Sequence, residues 1–266
     1  MNVNSFSKNG YIILKKAISK KNINSLHQTI IKSLTKKNIT KNRYDKFCSL
    51  IPKKKESEFL FTNRISSTLQ QENLIEKIFY EKKIMNLFTN ILGKDLSYIL
   101  ANNLTLNTPD KTNSKENYLF KDWHQEIWSG ANISSLQFWT PIFQKNNKFG
   151  QIEFIKDSHK WGHIPHQNRK PLNLPKNFKT IRTNLEVGDV IIFATTMMHK
   201  SSITKFPRLS LASLVKNFKY KNESFENNRN WKIFSYSELT KIERILGNHY
   251  LSPYRVIDLK PKINKV

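Results

Sequence analysis

The chain has 266 residues, of which 38% are hydrophobic and 12% aromatic, a composition typical of a packed globular protein and not of a disordered one. Its 45 lysines and arginines against 20 acidic residues give a net charge of +25, which favours anionic ligands near any basic cleft. The excess is mostly lysine scattered along the whole chain, without a zinc-finger, basic-zipper or RNP pattern, so specific nucleic-acid binding is not expected.

Cysteine content and hydropathy indicate a cytoplasmic protein. Cys48 is the only cysteine, which excludes an intrachain disulfide framework and suits a reducing compartment. The first ten residues lack the apolar core of a secretory signal, and no run approaches the roughly 20 apolar residues that span a bilayer. We therefore expect a cytoplasmic protein that acts on a small molecule, and its oligomeric state is left open.

The first third of the chain, residues 1–95, is predicted to be mainly helical. A short apolar run at residues 11–14 indicates a strand. Behind Ser19, a suitable N-cap, apolar residues recur at three- and four-residue spacing, and the same helical spacing returns over residues 74–92. Residues 36–63, rich in lysine and asparagine, carry only a weak pattern.

Residues 96–218 change to short strands separated by turn residues, a rhythm typical of a sandwich or barrel of jelly-roll type. The predicted strands are 96–100, 104–106, 118–120, 134–140, 151–155, 180–184, 189–194 and 209–218. Residues 219–266 are predicted to form a C-terminal extension. We expect one domain over residues 1–266, mainly β with flanking α-helices that pack on the core.

A candidate metal site begins with His124 and Glu126. On an extended strand, residues two apart project from one face, so an imidazole nitrogen and a carboxylate can reach one point. Alone this spacing is a weak signal and more often marks a solvated strand edge. His199, which follows the apolar run at residues 190–193, is the candidate third ligand. Two histidines and one carboxylate leave one face of Fe(II) open for a cosubstrate and oxygen.

Arg208 follows His199 and stands before another apolar strand. A cosubstrate that chelates iron through a 2-oxo acid must anchor its far carboxylate, and a guanidinium offers a planar fork of donors that fits it. We expect Arg208 to do so from the strand beside His199. The alternative interpretation is an ordinary surface arginine.

Taken in order, these motifs resemble the phytanoyl-CoA dioxygenase (PhyH) family over roughly residues 5–218. The segments that carry the resemblance are 6–14, 123–126, 138–141, 147–162, 188–193 and 199–201, followed by Arg208. The segment 147–162 is the most specific, because it is similar to the family's glycine, strand and Ser-His-Lys turn.

The resemblance implies a double-stranded β-helix core and an enzyme that uses Fe(II), 2-oxoglutarate and O2. It assigns catalytic and metal-binding roles to His124, Glu126 and His199, and places 2-oxoglutarate against Arg208, Ser201 and Trp139. The implied reaction is hydroxylation of an unactivated C–H bond with release of succinate and CO2. The substrate class stays open among lipid-like molecules, sugar or glycan precursors, phosphonates and specialised metabolites, and the basic charge favours an anionic one. The alternative is a non-catalytic basic module on the same fold that binds nucleic acid or an anionic surface.

Three positions depart from the family pattern. Glu126 stands where the family usually has aspartate, and whether this longer side chain binds iron directly is left open. Residues 156–157 replace a Pro-Gly turn, and Lys200 replaces a small residue after the second histidine. A carboxylate at position 126 still argues against a halogenase. Asp122 is a candidate acceptor for the second ring N–H of a ligating histidine.

A rival metal cluster consists of His159, His163 and His166, whose spacing on a helix could approach zinc. Pro165 breaks any helix there, so we expect a structural role for His159 instead. His163 or His166 could reach a substrate.

Overall fold

The computed structural model describes residues 3–52, 57–100, 104–109, 122–129, 131–168, 170–220 and 231–246. The strand predicted at residues 118–120 lies outside them. Among the described residues, no helix is both long and apolar enough to cross a bilayer.

The first third of the chain is largely helical, as predicted. Its helices are α1 (Val3–Asn9), α2 (Lys20–Thr35), α3 (Arg43–Leu50), α4 (Glu58–Gln71), α5 (Leu74–Phe79) and α6 (Lys82–Leu92). Ser19 caps α2, because its side chain accepts a hydrogen bond from the backbone N–H of Asn22. The weakly patterned residues 36–63 contain α3 and the start of α4. Phe47 and Phe61 are fully buried there, so tertiary packing stabilises helices that periodicity did not reveal.

The rest of the described chain is mainly β. The strands are β1 (Tyr11–Leu14), β2 (Leu96–Ile99), β3 (Leu104–Asn107), β4 (Leu136–Phe143), β5 (Ile152–Ile155), β6 (His166–Gln167), β7 (Lys170–Pro171), β8 (Thr180–Arg182), β9 (Val190–Ala194), β10 (His199–Ser201), β11 (Arg208–Asn217) and β12 (Trp231–Ser235). A helix, α7 (Glu238–Leu246), follows them.

The strands form two main antiparallel sheets. The large, seven-stranded sheet runs β1-β9-β4-β11-β2-β12, with β3 also paired to β11, and the small sheet runs β10-β5-β8. The large sheet continues beyond the predicted core boundary at residue 218, because β12 pairs with β2. Two antiparallel sheets of this kind packed face to face are the jelly-roll arrangement, and the predicted fold class is confirmed.

The two faces of the large sheet have different neighbours, because side chains alternate along a strand. Phe138 on β4 and Ile192 on β9 pack into the cluster that contains the helices. The next residues, Trp139 and Phe193, pack with Phe154 of the small sheet in a second cluster. Truncating a buried phenylalanine such as Phe138 to alanine costs about 3–5 kcal/mol. The second cluster fills the space between the sheets, where His199 also lies.

Candidate active site

The two candidate histidines are joined through their backbones. The N–H of His124 donates to the carbonyl of His199 at 3.0 Å, and the N–H of His199 donates back at 3.0 Å. This isolated bridge brings the imidazole rings to a centroid distance of 4.2 Å. Backbone pairing therefore sets their relative position before any ligand binds.

Glu126 joins them from a different local structure than predicted. The segment is not a continuous strand, since a 3-10 turn begins at Glu126 directly after the bridge. The turn is fixed by a hydrogen bond from the Glu126 N–H to the Thr195 carbonyl at 3.0 Å. The carboxylate Oε1 nevertheless lies 3.1 Å from His199 Nε2 and 4.0 Å from His124 Nε2. One ligand atom from each residue lies within 4.8 Å of the others.

The hydrogen bonds at Nδ1 of His124 and His199 determine what their Nε2 atoms can bind. Nδ1 of His124 lies 2.8 Å from the Asp122 carbonyl, and Nδ1 of His199 lies 2.9 Å from the Met197 carbonyl. A carbonyl only accepts, so each Nδ1 carries a hydrogen, and in the neutral form of either ring Nε2 is the nitrogen that can bind a metal ion. The predicted acceptor role at Asp122 thus belongs to its backbone carbonyl. Three acceptors now converge and repel one another unless a cation or proton lies between them, which fits a divalent metal.

The charge state of Glu126 agrees with this chemistry. Burial alone raises the pKa of its carboxyl group, but the contact with His199, when a proton lies on Nε2, and the positive charge of a protonated imidazole at His199 or His124 lower it more strongly. The net pKa lies below the ordinary glutamate value, so the group is a carboxylate at neutral pH. An anionic oxygen is the form that binds a metal ion.

Arg208 lies at the other end of the candidate site. It begins β11 in the large sheet, so the expectation that it lies on the strand beside His199 is wrong; β10 belongs to the small sheet. Its side chain extends toward the small sheet, and Nη2 of the guanidinium donates a hydrogen bond to Ser201 Oγ at 3.3 Å. The guanidinium carbon lies 5.0 Å from the centroid of the Trp139 ring, within the range of a cation–π contact. The structure thus brings all three predicted cosubstrate residues together.

The guanidinium of Arg208 is buried without a counter-ion among the described residues. The side chain is only 1% exposed, and its Nε and Nη1 have no hydrogen-bond partner there. Burial lowers the pKa of Arg208 to about 9, which still leaves it charged at neutral pH. An unpaired buried charge is costly, so this position fits an anionic ligand such as a carboxylate.

A cavity of about 480 Å³ opens where β10 leads into β11. Ser201 lines it and connects it to Arg208. Three cationic side chains, one carboxylate and several hydroxyl groups share the wall; the charged ones are Arg182, Lys200, Lys205 and Glu153. The volume lies in the range of small-molecule sites. Its charge balance is positive.

The rival histidine cluster does not assemble. Among the described residues, the only group of three or more potential ligands close enough to hold one metal ion is the one containing His124. His159 Nε2 instead donates to the Ser7 carbonyl at 3.1 Å, the structural role expected for it. His166 stacks on Trp128 at a centroid distance of 4.5 Å, and His163 lies 6.3 Å from His166.

The contacts of two residues at the site were not predicted from the sequence. Gln125, which lies between two candidate ligands, is 1% exposed, and both its amide nitrogen and its amide oxygen form hydrogen bonds. Lys200 lies 4.7 Å from the ring centroid of Trp123 and 3.6 Å from Glu153, so it braces the strand that carries His199. Neither role has a sequence signal, since both depend on contacts between distant segments.

A jelly roll with two histidines and a carboxylate between its sheets is typical of non-heme iron oxygenases. A model of the phytanoyl-CoA dioxygenase (PhyH) family matches residues 6–209, and the chain belongs to that family. Enzymes of the family use Fe(II), 2-oxoglutarate and O2, so the predicted cofactors are confirmed at the level of the family.

Solved structures agree on the fold. The chain is similar to the apo form of the non-heme monooxygenase ThoJ, with a TM-score of 0.57, 14% identity, and coverage of 88% of this chain and 84% of that one. It is also similar to the epimerase SnoN in complex with Fe3+, alpha ketoglutarate and nogalamycin RO, with a TM-score of 0.55, 11% identity, and coverage of 81% of this chain and 82% of that one. For the carbocyclase SnoK, the TM-score is 0.51 and the identity 10%, and the match covers 87% of this chain and 94% of that one. Comparison with curated proteins finds no match.

Proposed function

We propose that this protein is an Fe(II)- and 2-oxoglutarate-dependent oxygenase that hydroxylates a C–H bond of a small anionic metabolite, with release of succinate and CO2. One observation carries the proposal: three acceptor atoms converge in the same inter-sheet space as a buried guanidinium that has no counter-ion among the described residues. A metal ion and a dicarboxylate would satisfy both features at once. Family membership agrees with it.

The residues His124, Glu126 and His199 would hold the iron. Each imidazole is already oriented by its Nδ1 hydrogen bond, so no rotation is needed to present Nε2. Glu126 would bind directly, because its Oε1 already lies 3.1 Å from His199 Nε2. When bound, Fe(II) with 2-oxoglutarate and O2 supplies the oxidising power, and the protein supplies geometry and a dry site.

Arg208, Ser201 and Trp139 would bind the far carboxylate of 2-oxoglutarate. Nε and Nη1 of Arg208, which have no hydrogen-bond partner in the described part of the chain, offer donors that a carboxylate oxygen accepts. Ser201 Oγ accepts from Arg208 and keeps its own hydrogen to donate. Trp139 packs against the guanidinium and limits its movement.

Apolar rings around His199 would exclude water from the reaction. Phe193 of the large sheet lies 4.8 Å from the His199 ring centroid, and Phe154 of the small sheet lies 6.3 Å from it. Phe154, Phe193 and Met197 are all 1% exposed or less. A dry site strengthens every charge interaction inside it and protects a reactive oxidant from side reactions.

The cavity beside Ser201 supports an anionic substrate. Arg182, Lys200 and Lys205 place three positive charges on its wall against the single carboxylate of Glu153, which already pairs with Lys200 at 3.6 Å. The remaining positive charge attracts anions and raises their local concentration. A substrate held there would bind next to the cosubstrate pocket.

The test is succinate formation with Fe(II), 2-oxoglutarate and O2, first alone and then with metabolite extracts separated by charge. The proposal expects slow uncoupled turnover, stimulation by an anionic fraction, and a product heavier by one oxygen atom. Stimulation only by neutral or cationic fractions would exclude the anionic substrate. A product of unchanged mass or one that has lost two hydrogens would instead indicate epimerisation or ring closure, the activities named for SnoN and SnoK.

The non-catalytic basic module is the weaker alternative. A binding surface needs exposed cations, whereas Arg208 is buried between the sheets and surrounded by the groups that an oxygenase requires. The same assay separates the two functions. A basic module would form no succinate in any fraction.

A further inference from the structure

We infer that Gln125 is a positioning residue that fixes the geometry of the two candidate metal ligands on either side of it. The inference rests on the proposed function, since it concerns the ligands His124 and Glu126. Gln125 is 1% exposed. Its amide contacts backbone groups of two other segments and none of the ligand nitrogens.

The amide of Gln125 joins three parts of the chain. Nε2 donates to the carbonyl of Gly162 at 2.8 Å and also to the carbonyl of Thr196, and Oε1 accepts from the N–H of Ile164 at 2.9 Å. Both hydrogens of the amide are therefore used. The three partners are backbone groups for which the described residues provide no other hydrogen bond.

The partner at Thr196 belongs to a turn that holds the rest of the site. Three consecutive backbone carbonyls of that turn accept hydrogen bonds from groups of the site. The Thr195 carbonyl accepts from the Glu126 N–H, the Thr196 carbonyl from the Gln125 amide, and the Met197 carbonyl from the His199 ring. Gln125 thus supplies the middle contact of a row whose outer contacts orient two metal ligands. Losing the middle contact would let the ligand segment move relative to His199.

The loop at residues 162–164 provides the second anchor. Besides its two bonds to Gln125, this loop accepts a hydrogen bond from Trp128 Nε1 to the Ile164 carbonyl at 2.8 Å. The segment that carries His124 and Glu126 is therefore held on one side by the loop and on the other by the turn. A side chain that reaches both must be as long as glutamine and must donate twice while accepting once.

That requirement selects the test variants. Gln125→Glu keeps the shape but places one carboxylate oxygen, in the position of Nε2, against two carbonyls. Gln125→Asn keeps the amide but is one methylene too short. The matched control is Asn217→Asp. Asn217 is also a buried amide that bridges two segments, donating to the Leu92 carbonyl at 2.8 Å and accepting from the Lys219 N–H at 2.9 Å. It ends β11, whereas Arg208 begins that ten-residue strand, which spans about 30 Å.

Two measurements on the metal-free protein separate positioning from stability: Co(II) affinity by absorption titration under anaerobic conditions, and the urea midpoint of unfolding. We expect both Gln125 variants to weaken Co(II) binding by roughly 10- to 100-fold. Asn217→Asp should lower the unfolding midpoint yet keep Co(II) affinity within about twofold of the unmodified protein, since it disturbs no ligand. If Gln125→Glu fails to fold, Gln125→Asn decides the question.

Wild-type Co(II) affinity in a folded Gln125→Asn protein would overturn the inference. So would an equal loss of affinity in Asn217→Asp, because general destabilisation would then account for the effect. Failure of the unmodified protein to bind Co(II) at all would be a different result, since it contradicts the proposed metal site itself.

Discussion

The two ends of the candidate site differ in how their polar groups are paired. At the metal end, His124 and His199 share a backbone bridge, and each ring donates its Nδ1 hydrogen to a carbonyl. At the other end, the guanidinium of Arg208 is buried with two of its donor nitrogens unpaired among the described residues. Backbone contacts therefore position the two histidines at the metal end, whereas the part of the chain that the structure describes provides no counter-ion at the Arg208 end. Substitutions at the two ends should therefore weaken the binding of different ligands.

The largest effect is expected from His199→Ala. Removing one of three ligands should weaken Fe(II) binding by roughly 100-fold or more, beyond the loss typical of changes to groups that hydrogen-bond a ligand. Equilibrium dialysis with metal analysis measures it. His163→Ala is the control, because His163 is exposed and lies outside the ligand group. Retention of Fe(II) by the His199 variant would place the metal elsewhere.

Next comes Arg208→Met, which should separate stability from function. Because this buried cation has no counter-ion among the residues that the structure describes, replacing it by an apolar side chain of similar length should stabilise the ligand-free protein by about 1–4 kcal/mol. The same change should weaken 2-oxoglutarate binding by about 1.5–3 kcal/mol while Fe(II) still binds. Urea unfolding and 2-oxoglutarate titration measure the two effects. Arg43→Met on α3 should show neither, and a destabilised Arg208 variant would mean that the guanidinium is already paired.

A smaller effect is expected from Trp139→Phe. The ring contact with Arg208, at 5.0 Å, should lose part of a cation–π interaction worth about 0.5–2 kcal/mol. The apparent affinity for 2-oxoglutarate should fall several-fold with little change in Fe(II) binding. The same substitution in an Arg208→Met background should change 2-oxoglutarate affinity much less. Additive losses would show that Trp139 acts independently of the guanidinium.

The smallest effect concerns Lys200→Gln. Lys200 and Glu153 form a partly exposed pair at 3.6 Å, and such pairs contribute about 0–1 kcal/mol to stability. The free energy of unfolding should therefore change by less than about 1 kcal/mol, measured by urea denaturation. A loss of several kcal/mol would mean that the contact with Trp123 is a major support of the site.

Much of the fold could be predicted because its elements carry their own local signals. Ser19 caps α2 as expected, and the apolar run of β9 is a buried strand. Helix α3 had no such signal, since its only fully buried side chain, Phe47, stacks on Phe143 of a distant strand. Contacts of that kind become visible only when the chain is folded.

The sequence indicated which residues meet at the candidate site, but not the local structure and contacts that hold them there. His124, Glu126 and His199 meet as predicted, although Glu126 reaches the others from a 3-10 turn and not from a strand. The sheet that carries Arg208 was predicted wrongly, because motif order along the chain does not reveal which sheet a strand joins. The roles of the six predicted residues stay predictions until ligands are measured.

Anaerobic titration of the metal-free protein with Fe(II) and then 2-oxoglutarate tests the central claim most directly. If His124, Glu126 and His199 hold iron beside Arg208, a weak visible charge-transfer band should develop when the cosubstrate chelates the metal. The band should saturate at one equivalent of Fe(II) and be absent from His199→Ala. A wild-type protein that shows no band, and that forms no succinate when O2 is admitted, would contradict the account.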